Sequence, residues 1–271
     1  MSENHVPAAV TVSVSDADGV AGILADIKTF GAFAVHGAAV VTAVRAGIAD
    51  DGPHERPLPA GTVRAQLENA LKLLDPPAVK VGFLPSAEAV RAVVEQLKNG
   101  GARQVVVHPS ANAESSGETV SVLKSELLPL AEIVVANTAQ ASSLAGVPVR
   151  NSLSLRAAAK LIHRMGTRRV LITGTALPGE DCVDILFDGE QYWDFPSERI
   201  EIQHSTGAGD ALSAAIAAGL AHGREIEEAV AIAKAFVTEA IRNGYRLMGA
   251  VGTVNQLHAW WAGGGSSGYG G

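Results

Sequence analysis

Residues 205–219 read STGAGDALSAAIAAG, a glycine-containing bend followed by a run of small residues with helical spacing. Gly207 and Gly209 stand where a loop would enter that helix. Several backbone N–H groups would then point at one spot, at the positive end of the helix dipole. An anion such as a phosphate group can bind at such a spot without any side chain. The stretch therefore predicts a loop-to-helix junction with an anion-binding site.

Asp210 lies in the first turn of this predicted helix, where its carboxylate can face the same spot. In phosphoryl transfer to a hydroxyl group, a carboxylate within hydrogen-bond reach of the alcohol accepts its proton. The residues predict Asp210 as a general base and the backbone amides of Gly207, Ala208 and Gly209 as an anion hole. A plain turn, with Asp210 favoured only by the helix dipole, explains GAGD alone about as well. The sequence contains no GxxxxGK[ST] motif, and no GxGxxG follows the first predicted strand.

Short β-branched runs alternate with longer helical runs along the rest of the chain. The predicted strands are residues 9–15, 35–44, 78–82, 104–108, 133–136 and 169–173. The predicted helices are residues 21–33, 63–74, 87–98, 118–130, 153–165, 207–221 and 225–243. Residues 182–187 and 191–195 predict a hairpin across Asp188 and Gly189. The pattern predicts an α/β fold with a mainly parallel central sheet flanked by helices and a late antiparallel hairpin.

Composition limits the classes of protein to consider. The chain has 271 residues, of which 47% are hydrophobic and 18% charged, so it can bury a large core. We expect a single domain over residues 8–262 and a flexible Gly/Ser tail over residues 263–271. The net charge of −7 argues against nucleic acid or an anionic membrane as the main partner. With a single cysteine, Cys182, and no apparent signal peptide, we expect a cytoplasmic protein.

Four segments, in order, are similar to motifs of one family. They are residues 15–30 (SDADGVAGILADIKTF), 80–84 (KVGFL), 212–221 (LSAAIAAGLA) and 235–241 (AFVTEAI). The chain resembles the hydroxymethylpyrimidine and phosphomethylpyrimidine kinases of thiamine biosynthesis, within the ribokinase-like superfamily. The resemblance extends over roughly residues 8–261, nearly the whole chain. It implies a ribokinase-like three-layer sandwich.

The resemblance also implies an activity and a set of site residues. The activity is phosphorylation, by ATP with Mg²⁺, of the hydroxymethyl group or the monophosphate of 4-amino-5-hydroxymethyl-2-methylpyrimidine, commonly by a homodimer. Substrate contacts are expected at Asp16, Asp26 and Gly47, and Phe83 could stack on a flat ring. Nucleotide contacts are expected at Thr173, Gly174 and Thr206, and Mg²⁺ contacts, directly or through water, at Asn137 and Gln140.

Several positions depart from the family pattern. Asp210 replaces the usual catalytic cysteine, Gln140 the glutamate of an Asn-x-x-Glu motif, and Gly47 the glutamine that reads the pyrimidine. His108 stands where the family has aspartate, and either a structural role or a contact with phosphate fits it. These departures leave two alternatives open: a kinase for another small alcohol, such as pyridoxal or a sugar-like substrate, and a catalytically weak ligand-binding homologue. Cys182, in the predicted hairpin, is expected to lie away from the GAGD loop.

Overall fold

The computed structural model describes residues 6–46, 54–101, 104–109, 117–177, 181–200, 204–247 and 252–262. Its strands are β1 Ala8–Asp16, β2 His36–Arg45, β3 Glu55–Pro57, β4 Ala78–Val81, β5 Gln104–Val107, β6 Ile133–Asn137, β7 Arg169–Thr173, β8 Asp181–Phe187, β9 Tyr192–Glu198, β10 Tyr245–Arg246 and β11 Gly252–Thr253. Its α-helices are α1 Gly22–Ala32, α2 Ala60–Leu74, α3 Ala87–Asn99, α4 Gly117–Val122, α5 Thr138–Ala145, α6 Ser152–His163, α7 Ala208–Ala221, α8 Ile226–Arg242 and α9 His258–Ala262.

Strands β1 to β9 form one sheet in the order β3-β2-β1-β4-β5-β6-β7-β8-β9. Neighbouring strands from β2 to β7 run parallel, whereas β3, β8 and β9 pair antiparallel to their neighbours. The chain moves from β1 outward to β2 and later returns to place β4 on the other side of β1. In open α/β sheets, ligands bind beyond the carboxyl ends of the strands at such a switch point. The fold therefore predicts a ligand site at the carboxyl end of β1.

Two apolar clusters cover the two faces of this sheet. One joins the sheet to α2, α3, α5 and α6, and the other joins it to α1, α7 and α8. Alternation along β4 sends Val79 and Val81 to the first face, while Lys80 points to the second. Helices on both faces of a mainly parallel sheet make the three-layer sandwich that the sequence predicts, and the late hairpin is confirmed as β8 and β9. In the described ranges, no helix is long and apolar enough to cross a bilayer.

Three local features differ from the sequence predictions. The helix predicted over residues 118–130 is α-helical only to Val122; a π-helical turn Leu123–Leu127 and a 3₁₀ turn Leu128–Leu130 follow. Pro129, which has no N–H to donate, stops further α-helix there. Helix α5 was not predicted because its eight residues give too short an apolar period. Strands β3, β10 and β11 were missed for the same reason, since each has only two or three residues.

Candidate active site

The carboxyl ends of the parallel strands bring the polar residues of the candidate site to one edge of the sheet. Asp16 ends β1, His108 follows β5, Asn137 ends β6 and Thr173 ends β7. Helix α7 begins at the same edge, and His108, Asn137 and Thr173 line one cavity together with the Gly207–Asp210 segment. The cavity has a volume of about 490 Å³. This volume is large enough for a small-molecule ligand.

At two positions of the GAGD bend, neighbouring atoms lie so close to the backbone that they leave no room for a side chain. Gly207 precedes α7 with a φ of +84°, and a methyl group on it would lie 2.1 Å from the carbonyl oxygen of Val20. A methyl group on Gly209 would lie 2.8 Å from Nε2 of His108. Glycine is needed at both positions because any side chain would collide with these neighbours. The bend therefore packs directly on the loop after β1 and on the residue after β5.

The backbone N–H groups of the bend differ in whether they already have a hydrogen-bond acceptor. The N–H of Ala208 donates to the carbonyl of Ser205 at 3.0 Å, so the prediction that this amide serves an anion hole is wrong. Within the described residues, the N–H groups of Gly209 and Asp210 have no acceptor. They are first-turn donors at the positive end of the helix dipole. An anion in the cavity would meet these donors rather than that of Ala208.

Asp210 is held at both of its carboxylate oxygens. Oδ1 accepts a hydrogen bond from Nζ of Lys80 at 2.8 Å, and Oδ2 accepts one from the N–H of Gly22 at 3.2 Å. Its side chain is 12% exposed and lines the cavity. Gly22 begins α1, just after the loop that follows Asp16. One carboxylate thus joins the cavity side of the site to the end of β1.

Lys80 is a charged residue in the middle of a buried strand, and its contacts explain how it is tolerated. Its ammonium also donates to Oδ1 and Oδ2 of Asp26, at 2.9 and 2.8 Å, and all of these side-chain atoms except part of Asp210 are inaccessible to solvent. Thr11, the partner of Lys80 in the β1–β4 register, donates its hydroxyl to Asp26 at 2.5 Å. Buried charges require such pairing.

The position of Asp26 corrects the prediction that it contacts the substrate. Its carboxylate is 0% exposed and lies behind Lys80, so no ligand in the cleft reaches it. The cause is its place on α1, on the face that packs against β1 and β2, where its carboxylate meets Lys80 of β4. Asp26 supports Lys80 instead.

The three charged groups titrate differently. Burial would raise the pKa of Asp210, but the charge of Lys80 and the hydrogen bonds donated by Lys80 and Gly22 bring it down to about 2. Burial raises the pKa of Asp26 to about 7 in spite of Lys80, and the charge of Asp210 adds to the rise. Burial would lower the pKa of Lys80, but the charges of both carboxylates raise it. Asp210 is therefore ionised over the whole neutral range.

His108 faces the bend with a defined ring orientation. It is buried, and its Nδ1 lies 2.9 Å from the carbonyl of Val135, which can only accept, so the proton is on Nδ1. Burial lowers the pKa of the ring, against the charge of Asp210. The neutral ring thus presents Nε2 toward Gly209 and the cavity.

Asn137 and Gln140, which the sequence predicts to assist Mg²⁺, form a capping box at the start of α5. Oδ1 of Asn137 accepts from the N–H of Gln140 at 2.9 Å, and Oε1 of Gln140 accepts from the N–H of Asn137 at 2.8 Å. Each amide oxygen keeps one lone pair, and Asn137 lines the cavity. In the described part of the chain, no three or more His, Cys, Asp or Glu side chains are grouped to hold a metal. The residues fit a Mg²⁺ ion held mainly by phosphate oxygens and water, as is common for this ion.

The end of β1 carries a second polar group. Asp16 is 5% exposed, its Oδ2 lies 3.6 Å from Nη1 of Arg45, and its buried Oδ1 has no partner. Burial raises the pKa of Asp16 to about 6, helped by the charge of Asp18 and opposed by Arg45. The Arg45 guanidinium lies 5.5 Å above the ring of Phe83, which is itself buried. An unpaired buried oxygen indicates a missing donor, which a bound ligand would supply.

The remaining predicted residues lie in different surroundings. Thr173 lines the cavity, whereas Gly174 and Thr206 do not. The N–H of Gly174 donates to Oδ1 of Asp184 at 3.0 Å, and Thr206 forms an isolated bridge with Thr253. Gly47 lies outside the described residues.

The position of Cys182 corrects the sequence prediction. It lines the same cavity as Asp210, although the sequence indicated that it lay away from the loop. Strand β8 extends the sheet next to β7, and this pairing brings Cys182 to the edge where the cavity opens. Lateral pairing of strands is not visible in the sequence.

Three charged residues of the site were not predicted. Lys80 belongs to the KVGFL motif, and a lysine within the apolar run AVKVG is itself a signal of a buried ion pair. The buried Asp184 of β8 and the half-buried Lys234 of α8 form a second ion pair at 2.6 Å on the cavity wall. Their separation of 50 residues leaves no local pattern that could have revealed the contact.

Comparison with known proteins gives a consistent result. The family model for phosphomethylpyrimidine kinase matches residues 16–255. The hydroxymethylpyrimidine/phosphomethylpyrimidine kinase of Rhizobium meliloti (strain 1021) is 38% identical over 260 residues, which cover 93% of this chain and 98% of that protein.

Two solved structures are similar in fold. Bacillus subtilis pyridoxal kinase, in an ADP complex, has a TM-score of 0.90 and 32% identity, covering 94% of this chain and 99% of the other. Phosphomethylpyrimidine kinase from Clostridium difficile 630 has a TM-score of 0.75 and 32% identity, covering 86% and 100%. With the sequence motifs, the fold and the ionised aspartate at the bend, these matches show that the chain is a kinase of the phosphomethylpyrimidine kinase family.

Proposed function

We propose that this chain transfers the γ-phosphoryl group of ATP, with Mg²⁺, to the hydroxymethyl group or the monophosphate of 4-amino-5-hydroxymethyl-2-methylpyrimidine. The observation that carries the proposal is the position of the Asp210 carboxylate, fixed at the start of α7 beside two N–H groups that have no acceptor among the described residues. Such an arrangement supplies both an acceptor for the alcohol proton and donors for the transferred phosphoryl group.

The nucleotide would occupy the cavity, with its terminal phosphate against the N–H groups of Gly209 and Asp210. Thr173 on the cavity wall contributes a hydroxyl group. The relative from B. subtilis was solved as an ADP complex, which supports a nucleotide as a ligand of this chain. Asn137 and Gln140, directly or through water, would help to hold Mg²⁺ on the phosphates, whose charge the ion would neutralise.

The acceptor alcohol would approach from the end of β1. Gly22, which donates to Asp210, follows the loop that starts at Asp16. The unpaired Oδ1 of Asp16 would accept a hydrogen bond from the ring substituents of the substrate, and Asp210 would take the proton of the hydroxyl group as the P–O bond forms. Because the pKa of Asp210 is about 2, it takes this proton only as the alcohol oxygen bonds to phosphorus and the bond from phosphorus to the leaving ADP breaks.

Replacement of Asp210 by asparagine tests the role of the carboxylate. We expect kcat to fall by roughly 10²–10⁴, the usual contribution of general base catalysis, while the affinity for ADP measured by calorimetry changes by less than about threefold. Asp75→Asn, at an exposed helix end, is the matched control and should behave as wild type. An Asp210→Asn variant with wild-type kcat would contradict the proposed function.

Pyridoxal is a second candidate substrate, favoured by the similarity in fold to pyridoxal kinase. ADP release should be measured with the pyrimidine alcohol, its monophosphate and pyridoxal as acceptors at equal concentration. We expect the highest kcat/KM for one of the two pyrimidines. A higher value for pyridoxal would select the second candidate.

Three further properties stay proposals. We propose one domain over residues 8–262, a cytoplasmic location and a homodimer, on the basis of the single nine-stranded sheet and of the family resemblance. Size-exclusion chromatography with light scattering tests the dimer, since a monomer mass near 27.8 kDa would contradict it.

A further inference from the structure

Lys80 belongs to a buried network that the reaction, as proposed, does not itself require. Its ammonium group has three N–H donors, and three carboxylate oxygens lie within hydrogen-bond distance: two from Asp26 and one from Asp210. Every donor of Lys80 is therefore used, and its side chain is completely buried. These contacts and the surrounding packing hold the ammonium group of Lys80 in one position.

We propose that Lys80, held by Asp26, is a positioning residue that fixes the carboxylate of Asp210 toward the cavity and keeps it in its charged form. The inference rests on the proposed role of Asp210 as the proton acceptor. Neither Lys80 nor Asp26 touches the substrate in this scheme. Both act through Asp210.

The sheet explains why this network is rigid. Thr11 and Lys80 are paired across the β1–β4 register, and Asp26 of α1 lies over both of them. Strands β1 and β4 and helix α1 each contribute one group, and movement of Lys80 would break its contacts with Asp26 of α1 and Asp210 of α7. Asp210 enters the network from α7, and the N–H of Gly22 holds its other oxygen.

The charges explain why the network matters for catalysis. Without Lys80, two buried carboxylates would be left close together without a cation, and carboxylates in that situation take up protons. A protonated Asp210 cannot accept the proton of the substrate. The ammonium of Lys80 therefore preserves the form of Asp210 that the reaction uses.

The decisive measurement is kcat against pH, from pH 5 to 9, with saturating ATP, Mg²⁺ and pyrimidine alcohol. For the wild-type chain we expect no acidic limb from Asp210 in this range, and protonation of Asp26, whose pKa is about 7, should lower kcat by no more than about tenfold at acidic pH. For Lys80→Met we expect kcat at pH 7 to fall by about 100-fold or more, and to rise again as the pH increases. KM for ATP should change by less than about threefold, because the N–H groups of the bend are retained.

Two further variants separate positioning from a loss of fold. Lys80→Arg retains the positive charge, so we expect partial recovery of kcat without an acidic limb. Thr167→Val removes a buried hydroxyl that bonds to the backbone at the opposite end of β7, and it reports what a general loss of stability does to kcat. If Lys80→Met lowers kcat with a pH profile parallel to that of the wild-type chain, the proposal is overturned.

If Lys80→Met does not fold, Asp26→Asn tests the positioning role of Lys80 instead, because it leaves the lysine in place. The amide can still accept from Lys80, but the ammonium is then pulled toward the remaining charge on Asp210. We expect a fall in kcat of about tenfold with a flat profile at acidic pH, and wild-type kcat would overturn the proposal. Asp210→Asn tests the proposed function separately, since it removes the base and leaves Lys80 and Asp26 paired.

Discussion

Gly207→Ala tests whether the close packing of the GAGD bend is needed for both stability and catalysis. The residue has a φ of +84°, and a left-handed conformation costs a residue with a side chain about 1–2 kcal/mol. The added methyl group would also lie 2.1 Å from the carbonyl oxygen of Val20, a contact that requires a shift of about 1 Å. Overpacking of this kind costs about 1–3 kcal/mol.

The sum predicts a loss of about 2–5 kcal/mol in the free energy of unfolding. At about 2–4 °C per kcal/mol for a chain of this size, a loss of about 3 kcal/mol lowers Tm by about 6–12 °C. The displaced loop also carries Gly22, which holds Asp210, and a misplacement of about 1 Å can cost about 100-fold in rate. Thermal melts and ADP release with the pyrimidine alcohol measure the two effects.

Two other glycines serve as controls. Gly223 has a φ of +76° but no atom within 4 Å of an added methyl group, so Gly223→Ala isolates the backbone strain. Gly61 in α2 has neither a positive φ nor a close neighbour, and Gly61→Ala should be neutral or stabilising by about 0.5–1 kcal/mol. If Gly207→Ala loses no more stability than Gly223→Ala and keeps wild-type kcat, the packing argument is refuted.

Two predictions concern titrating groups. Lys234→Met leaves the buried Asp184 without its cation. Burial already raises the pKa of this carboxyl, although Lys234 opposes the rise. A carboxyl whose pKa is higher in the folded state than in the unfolded state destabilises the fold as pH rises. We expect a loss of about 3–5 kcal/mol at pH 8 that becomes smaller at pH 5, by denaturant unfolding, and a loss independent of pH would contradict the buried pair. Asp16, with a pKa of about 6, is ionised above that pH, so KM for the pyrimidine alcohol should increase between pH 7 and 5. Asp16→Asn should show a higher KM without this pH dependence, and a wild-type profile for the variant would exclude Asp16 from the binding of the alcohol.

The sequence alone predicted the fold class and the bend because both depend on local patterns. Buried parallel strands are continuous β-branched runs, and a helix made of small residues directly after a glycine bend is typical of a helix that packs closely on a sheet. The hairpin was predicted from the turn at Asp188 and Gly189, which has a φ of +107° at the glycine. Elements of two or three residues, such as β3, carry no period and were missed.

The roles of single polar residues were less predictable. Asn137 and Gln140 form a sequence pattern that suits either a metal site or a helix cap, and the structure shows the cap. Ala208 belongs to the bend as predicted, yet its N–H is used by Ser205. Cys182 lies on the cavity wall because of how β8 pairs with β7. In each case the deciding fact is a hydrogen bond or a strand pairing rather than a residue type.

The amino-acid sequence by itself determined the order of strands and helices, the position of the GAGD bend and the presence of Asp210 in the first turn of α7. Only the tertiary structure decided that Asp26 is hidden behind Lys80 and that this lysine holds Asp210. The physical reason is distance along the chain: Lys80 is separated from Asp26 by 54 residues and from Asp210 by 130. Pairing of β1 with β4, and packing of α1 and α7 on the same face, bring these charges together.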